Sequence, residues 1–171
     1  MVAGKVWLCY YLRVRGEFDQ MVRTRVYLDN CAYNRPFDDQ AQIKIALETE
    51  AKKYVQRLIV EKAIDLVYSY INRLENDDNP FTMRKNTINA FFEHVAFYVD
   101  STNAEFIEKK ATGIMKSGIK ARDALHIACS IEGGCDYFIT TDKPLLRHKH
   151  DGIVVCNPIW FLDYYEEGKH G

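Results

Sequence analysis

Four carboxylates stand just after short apolar runs or on short helical stretches: Asp29 behind RVYL, Glu75 in YINRLEN, Asp123 in ARDALHIACS and Asp142 behind YFITT. Carboxylates brought together repel unless they take up protons or cations neutralise them. Oxygen-only donor sets suit hard divalent ions such as Mg2+ or Mn2+. A pair of such ions can clamp the attacking and leaving oxygens of a phosphodiester and supply hydroxide from water. Thr141, beside Asp142, adds a hydroxyl able to orient a water or cap a turn. No His–Cys cluster at zinc spacing competes with this chemistry.

Each residue also has a plainer reading. Asp29 can hydrogen-bond to the turn NCAY, and Asp142 can cap KPLL. Asp123, in a first helical turn, interacts favourably with the helix dipole. Glu75 fits an ordinary polar helix face. What raises the chemical reading is the position all four would share, and that depends on the elements that carry them.

Short apolar strands alternate with helices along the chain. RVYLD (25–29), AIDLVYS (63–69), VAFYV (95–99), DYFIT (136–140) and GIVVC (153–156 within it) read as strands. Helices are expected over 40–60, in YINRLEN capped by Ser69, around 88–95, over 102–116, in ARDALHIACSIE up to Gly133 and Gly134, and in IWFLDYYEE. In the 40–60 helix, Ile43, Leu47, Ala51, Tyr54 and Leu58 form an apolar stripe, with Lys44, Glu48, Lys52 and Gln56 on a solvated face. Phe106, Ile107, Ala111 and Ile114 are the expected inward side of the 102–116 helix. The stretch 30–39 reads as a loop, with Asn30 as a turn residue. The alternation argues for an α/β three-layer sandwich around a central parallel five-stranded sheet with right-handed crossovers. Ligands in such folds bind beyond the carboxyl ends of the strands. Asp29 and Asp142 fall on that edge, and Glu75 and Asp123 start from it.

Composition excludes several classes. At 171 residues with 47% hydrophobic and 27% charged residues, the chain fits one globular domain. A net charge of -1 announces no nucleic-acid partner globally, so any such surface is a local patch. KPLLRHKH supplies one through Lys143, Arg147, His148, Lys149 and His150, with Arg35 and Lys120 as lesser contributors. Tyr33 is a candidate for base stacking. His126 reads as a hydrogen-bonded core histidine. The five cysteines form no CxxC pair and read as free thiols of a reducing compartment. VWLCYYL (6–12) is too short to cross a bilayer. It also lacks a signal-peptide cleavage site, which points to a cytoplasmic protein without membrane contact. Residues 1–23 read as an N-terminal extension, with Met21 as a second candidate start, ahead of a domain over 24–166. A Gly-rich dinucleotide loop is missing after the first strand. Cys31 replaces the second carboxylate that a DxD phosphoryl-transfer site needs.

The chain resembles the PIN domain, a metal-dependent nuclease fold, over roughly residues 24–163. The likeness is carried by VYLDNCAYN with Asp29, SYINRLEN with Glu75, and KARDALHIACSIEGGCDYFITTD with Asp123 and Asp142. It implies a sheet of order 3-2-1-4-5, Mg2+ or Mn2+ held by Asp29, Glu75, Asp123 and Asp142, and a water-orienting hydroxyl from Thr141 or Thr140. It further implies cleavage of RNA and, by likeness to small prokaryotic members, a toxin with an antitoxin partner and a homodimeric state. The long 40–60 helix and the N-terminal segment depart from compact toxin members and weaken that assignment more than the nuclease one. The alternative is a catalytically silent PIN-like RNA-binding or protein-assembly module, in which Asn or Ser would be tolerated at these acidic positions.

Overall fold

The computed structural model describes residues 23–170. The readings placed on residues 1–22, including Cys9 and Met21, lie outside the described residues. Five strands, β1 (Arg25–Leu28), β2 (Asp65–Ser69), β3 (Val95–Val99), β4 (Tyr137–Ile139) and β5 (Val154–Cys156), form one sheet in the order β3-β2-β1-β4-β5. Every pairing is parallel. The expected three-layer α/β architecture and strand order are thus what the chain adopts.

The alternation of side chains along β1 decides the two layers. Val26 and Leu28 point to one face, packing with Leu66, Tyr68 and Ile139 against Val55, Leu58 and Ile59 of α2 (Ile43–Val60) and Phe161 of α8 (Pro158–His170). Tyr27, Val67 and Phe138 point to the other, against Ile107 and Ala111 of α5 (Ala104–Met115) and Ala124, Ile127 and Ala128 of α6 (Ala121–Glu132). Both faces are covered, so the middles of the central strands, Val26–Leu28 and Leu66–Tyr68, are apolar on both sides instead of alternating with polar residues. Gly133 ends α6 so close to β2 that a Cβ there would lie 2.5 Å from Val67 Cγ1, and Gly134 turns the chain at φ +67°.

Several expectations are corrected. The stretch 30–39 contains α1 (Asn30–Asn34) and a 3-10 turn at Arg35–Phe37. The stripe assigned to α2 is rotated: Ile43, Leu47 and Tyr54 are exposed, while Glu48, Ala51, Lys52, Val55, Leu58 and Ile59 are buried. Periodicity weighs hydrophobicity alone, whereas the 3-10 turn brings Arg35 Nε within 3.1 Å of Glu48 Oε2 and makes a buried carboxylate tolerable. Lys52 lays its stem inward over the Tyr33 ring, and burial lowers its amine to about 8. Phe106 is exposed, although Ile107 and Ala111 face inward as expected. Tyr33 is a core residue at 2% exposure and offers no face to a base. Among the described residues, no helix is long and apolar enough to cross a membrane.

Candidate metal centre

The register fixes where the acidic residues emerge. Leu28 pairs with Ile139, so β1 and β4 end side by side, and the Asp29 amide donates to the Ile139 carbonyl at 3.0 Å. Thr140, the next residue on β4, donates its hydroxyl to Asp29 Oδ2 at 2.7 Å and accepts the Asp142 amide at 3.1 Å. One buried hydroxyl therefore ties together the two loops that carry Asp29 and Asp142. The hydroxyl that touches the first aspartate is that of Thr140. Thr141 Oγ1 is also buried but has no hydrogen-bond partner among the described residues, and the Thr141 carbonyl accepts from Arg35 at 3.2 Å.

The plainer reading of Asp142 does not hold, whereas Asp29 keeps the expected bond to the turn NCAY, through the Cys31 thiol. Each occupies an N-cap position, yet neither side chain makes a capping bond. Among the described residues Asp142 Oδ1 is buried without a partner, which is costly for a carboxylate oxygen unless a cation meets it. Cys31 turns its thiol back onto Asp29 Oδ2 at 2.9 Å. Burial and the Asp29 charge push that thiol far up, so it remains a donor and not a thiolate.

Glu75 comes from α3 (Tyr70–Asp77), whose start is fixed by a reciprocal capping box between Ser69 and Asn72. Asn72 also donates to the Leu28 carbonyl at 3.2 Å and to Asn30 Oδ1 at 3.0 Å, and so holds α3 against the end of β1. Asn30 is accordingly a buried structural residue of the rim, where sequence suggested a turn. Burial would raise the Glu75 carboxyl. The hydrogen bond and charge of His126, then Arg122 and Asn30, outweigh it and hold the group below the usual carboxylate range.

His126 is the residue whose importance sequence reasoning understated. It is hydrogen-bonded and 2% exposed, as expected for a core histidine, but its Nε2 lies 2.8 Å from Glu75 Oε2. Ligand-capable atoms of Asp29, Glu75 and His126 all fall within 4.8 Å of one another. The signal was available: His126 is one helical turn beyond Asp123 and therefore shares its face.

Asp123 and Asp142 stand outside that tight group, but their charges meet. Burial first, then the negative charges of Asp29 and Asp142, raise the Asp123 carboxyl. A single electrostatic rim thus takes in Asp29, Glu75, Asp123, Asp142 and His126, drawn from the ends of β1 and β4, from the second turn of α3 and from the first two turns of α6. Mutual repulsion, an all-oxygen carboxylate set and the orphaned Asp142 Oδ1 fit a hard divalent ion.

No family model matches the chain, and no curated protein matches it. Strand order and rim decide the likeness. The fold is PIN-like. A PIN-like sheet with a clustered acidic and histidine site able to chelate a divalent metal emerges from the geometry alone.

The raised Asp123 carboxyl has a testable sign. Its ionised form opposes folding above the raised pKa, and that opposition is relieved as pH falls through it. Asp123→Asn therefore stabilises the metal-free protein near neutral pH. The gain is on the order of 0.5–1 kcal/mol after discounting for solvent screening, or about 2 °C in melting temperature. It fades in acid, where the wild type protonates. If Asp123 served only the helix dipole, the same change would cost about 0.3–1 kcal/mol instead; differential scanning calorimetry of EDTA-treated protein separates the two signs.

Proposed function

We propose that this chain is a metal-dependent endoribonuclease that hydrolyses RNA phosphodiester bonds. The observation that carries the reading is the convergence of Asp29, Asp123 and Asp142 charges on one rim beside Glu75, with a buried Asp142 oxygen that has no hydrogen-bond partner among the described residues. Such a rim lowers its energy by taking up cations, and a silent module has no reason to retain it.

Asp29, Glu75, Asp123 and Asp142 would hold Mg2+ or Mn2+, with Thr140 bonded both to the Asp29 carboxylate and to the Asp142 amide. When bound, the ion supplies a nucleophilic hydroxide and stabilises charge on the scissile phosphate. The chain's own part is positional. Thr140 fixes the Asp29 carboxylate through one oxygen and leaves the other to the cleft. The unpartnered Thr141 hydroxyl is assigned to orienting the attacking water. Lys143 follows Asp142 directly and Arg147 closes the short helix after it; with exposed Lys120 and Arg122 they are assigned to a basic lip for the RNA backbone. Arg35 does not belong to that lip, since its guanidinium is engaged by Asp38, Glu48 and the Thr141 carbonyl. The same reading covers a cytoplasmic enzyme serving as the toxin of an antitoxin-controlled pair, with homodimerisation as its assembly.

EDTA is expected to abolish cleavage of single-stranded RNA, and added Mg2+ or Mn2+ to restore it. Asp142→Asn should lose cleavage while keeping the wild-type melting temperature. Cleavage that survives both treatments refutes the proposal.

A further inference from the structure

We propose that His126 is a positioning residue, which aims a permanent Nε2–H at Glu75 through a hydrogen-bond chain from Ser69 and Tyr27, and is not a third ligand to the ion. The part concerning the ion rests on the function proposed above; the part concerning the proton does not.

The chain of contacts is short and buried. Ser69 Oγ lies 2.6 Å from Tyr27 Oη, Tyr27 Oη lies 2.8 Å from His126 Nδ1, and His126 Nε2 lies 2.8 Å from Glu75 Oε2. Tyr27 and Ser69 are fully buried, so water cannot stand in for a partner of either hydroxyl. Proton counting starts at Glu75, whose carboxylate only accepts. Nε2 must therefore carry a hydrogen, because a lone pair there would face a carboxylate oxygen at hydrogen-bond distance.

The other ring nitrogen is served whichever charge the imidazole carries. In the neutral ring, Nδ1 accepts from Tyr27, and Tyr27 in turn accepts from the Ser69 hydroxyl. Asn72 Oδ1 then still receives the Ser69 amide at 3.1 Å. In the charged ring each hydroxyl reverses: Nδ1–H donates to Tyr27, Tyr27 donates to Ser69, and Ser69 donates to Asn72 Oδ1 at 3.2 Å. Both arrangements satisfy every group, and both leave Nε2–H on Glu75. The Nδ1–H neutral tautomer, the one that would free the Nε2 lone pair for a metal, keeps the order of the charged ring on the Tyr27 side but loses the bond to Glu75, where two lone pairs would face each other at 2.8 Å.

Function follows from geometry. Glu75 Oε2 is occupied by the imidazole, so its carboxylate is turned with Oε1 as the oxygen left for the cleft, where Arg122 reaches only to 4.0 Å. The capping box that starts α3 and the tautomer that orients Glu75 share Ser69. Ser69 thereby takes part both in placing the helix and in holding, through Tyr27, the imidazole ring that meets Glu75.

Long-range 1H–15N spectra of the metal-free wild type should show His126 Nε2 protonated. An unprotonated Nε2 overturns the proposal, whatever the protein does with metals. With Mn2+ bound, electron spin-echo modulation should show no directly coordinated histidine nitrogen; a directly bound 14N overturns it as well. In Mn2+ titrations followed by paramagnetic resonance, H126A should weaken binding about 10–100-fold, the usual loss for an outer-shell partner of a ligand. H126Q restores an N–H near the Nε2 position and should recover most of that loss. Equal losses in both variants indicate a ligand and refute the positioning role. Should H126A fail to fold, Tyr27→Phe tests the same chain by removing the partner of Nδ1, with a smaller weakening of Mn2+ binding expected. Wild-type protein that binds no Mn2+ would refute the proposed function, while the nitrogen spectra would still decide the tautomer.

Discussion

Asp29→Asn is expected to reduce metal-dependent RNA cleavage by about 1000-fold or more, with the fold intact. A bound ion supplies several kcal/mol of charge stabilisation, and each factor of ten in rate corresponds to about 1.4 kcal/mol. The substitution is unusually clean here because both side-chain contacts of Asp29 fall on one oxygen. Thr140 Oγ1 and Cys31 Sγ both approach Oδ2, at 2.7 and 2.9 Å. An asparagine can place its carbonyl oxygen there, keep both donors and turn its amide nitrogen to the cleft in place of Oδ1. The backbone bond from residue 29 to Ile139 is untouched. Cleavage rates at saturating Mn2+, read beside thermal melts, test this. Near wild-type cleavage by a folded variant would remove Asp29 from the chemistry.

Arg35→Met should destabilise the protein by about 3 kcal/mol, near the low end of the cost of removing one partner from a buried ion pair. That corresponds to a fall of roughly 6–12 °C in melting temperature for a domain of this size. Glu48 is 1% exposed, and Arg35 is its inner counter-charge. The two meet at 3.1 Å without aligned hydrogen-bond geometry, so the attraction is mainly one of charge. Lys44 Nζ, at 3.4 Å from the other Glu48 oxygen, is more than half exposed and offsets only part of the loss. The same guanidinium holds the Thr141 carbonyl, so the variant should also loosen the Asp142 loop and weaken Mn2+ binding. Replacing both partners, as in Arg35→Met with Glu48→Met, should recover most of the stability, because no unpaired charge remains inside. Urea denaturation of the three variants measures each step. A single Arg35→Met variant within about 1 kcal/mol of wild type, on the scale set by buried pairs, would show that Glu48 finds another partner.

The sequence alone determined the class of fold and the edge on which its chemistry lies. Short apolar runs such as VYL and YFI, alternating with helices, point to parallel strands covered on both faces, and residues that follow such strands gather at their carboxyl ends. Asp29 and Asp142 were legible for that reason. Ser69 was legible as a cap because capping is a local bond, made within one helical turn.

The contacts that cross the fold were decided by tertiary structure. Which threonine meets Asp29 depends on Leu28 standing opposite Ile139, a register that no local pattern encodes. The buried face of α2 depends on Arg35 arriving from outside the helix to neutralise Glu48, so a stripe drawn by hydrophobicity alone was turned the wrong way. His126 looked like core, and it is core; its bearing on the site comes from Glu75 and Tyr27, respectively 51 and 99 residues away along the chain. Periodicity records how strongly each side chain avoids water, whereas hydrogen bonds and charges act between particular atoms at a few ångströms, and only the folded chain brings those atoms together.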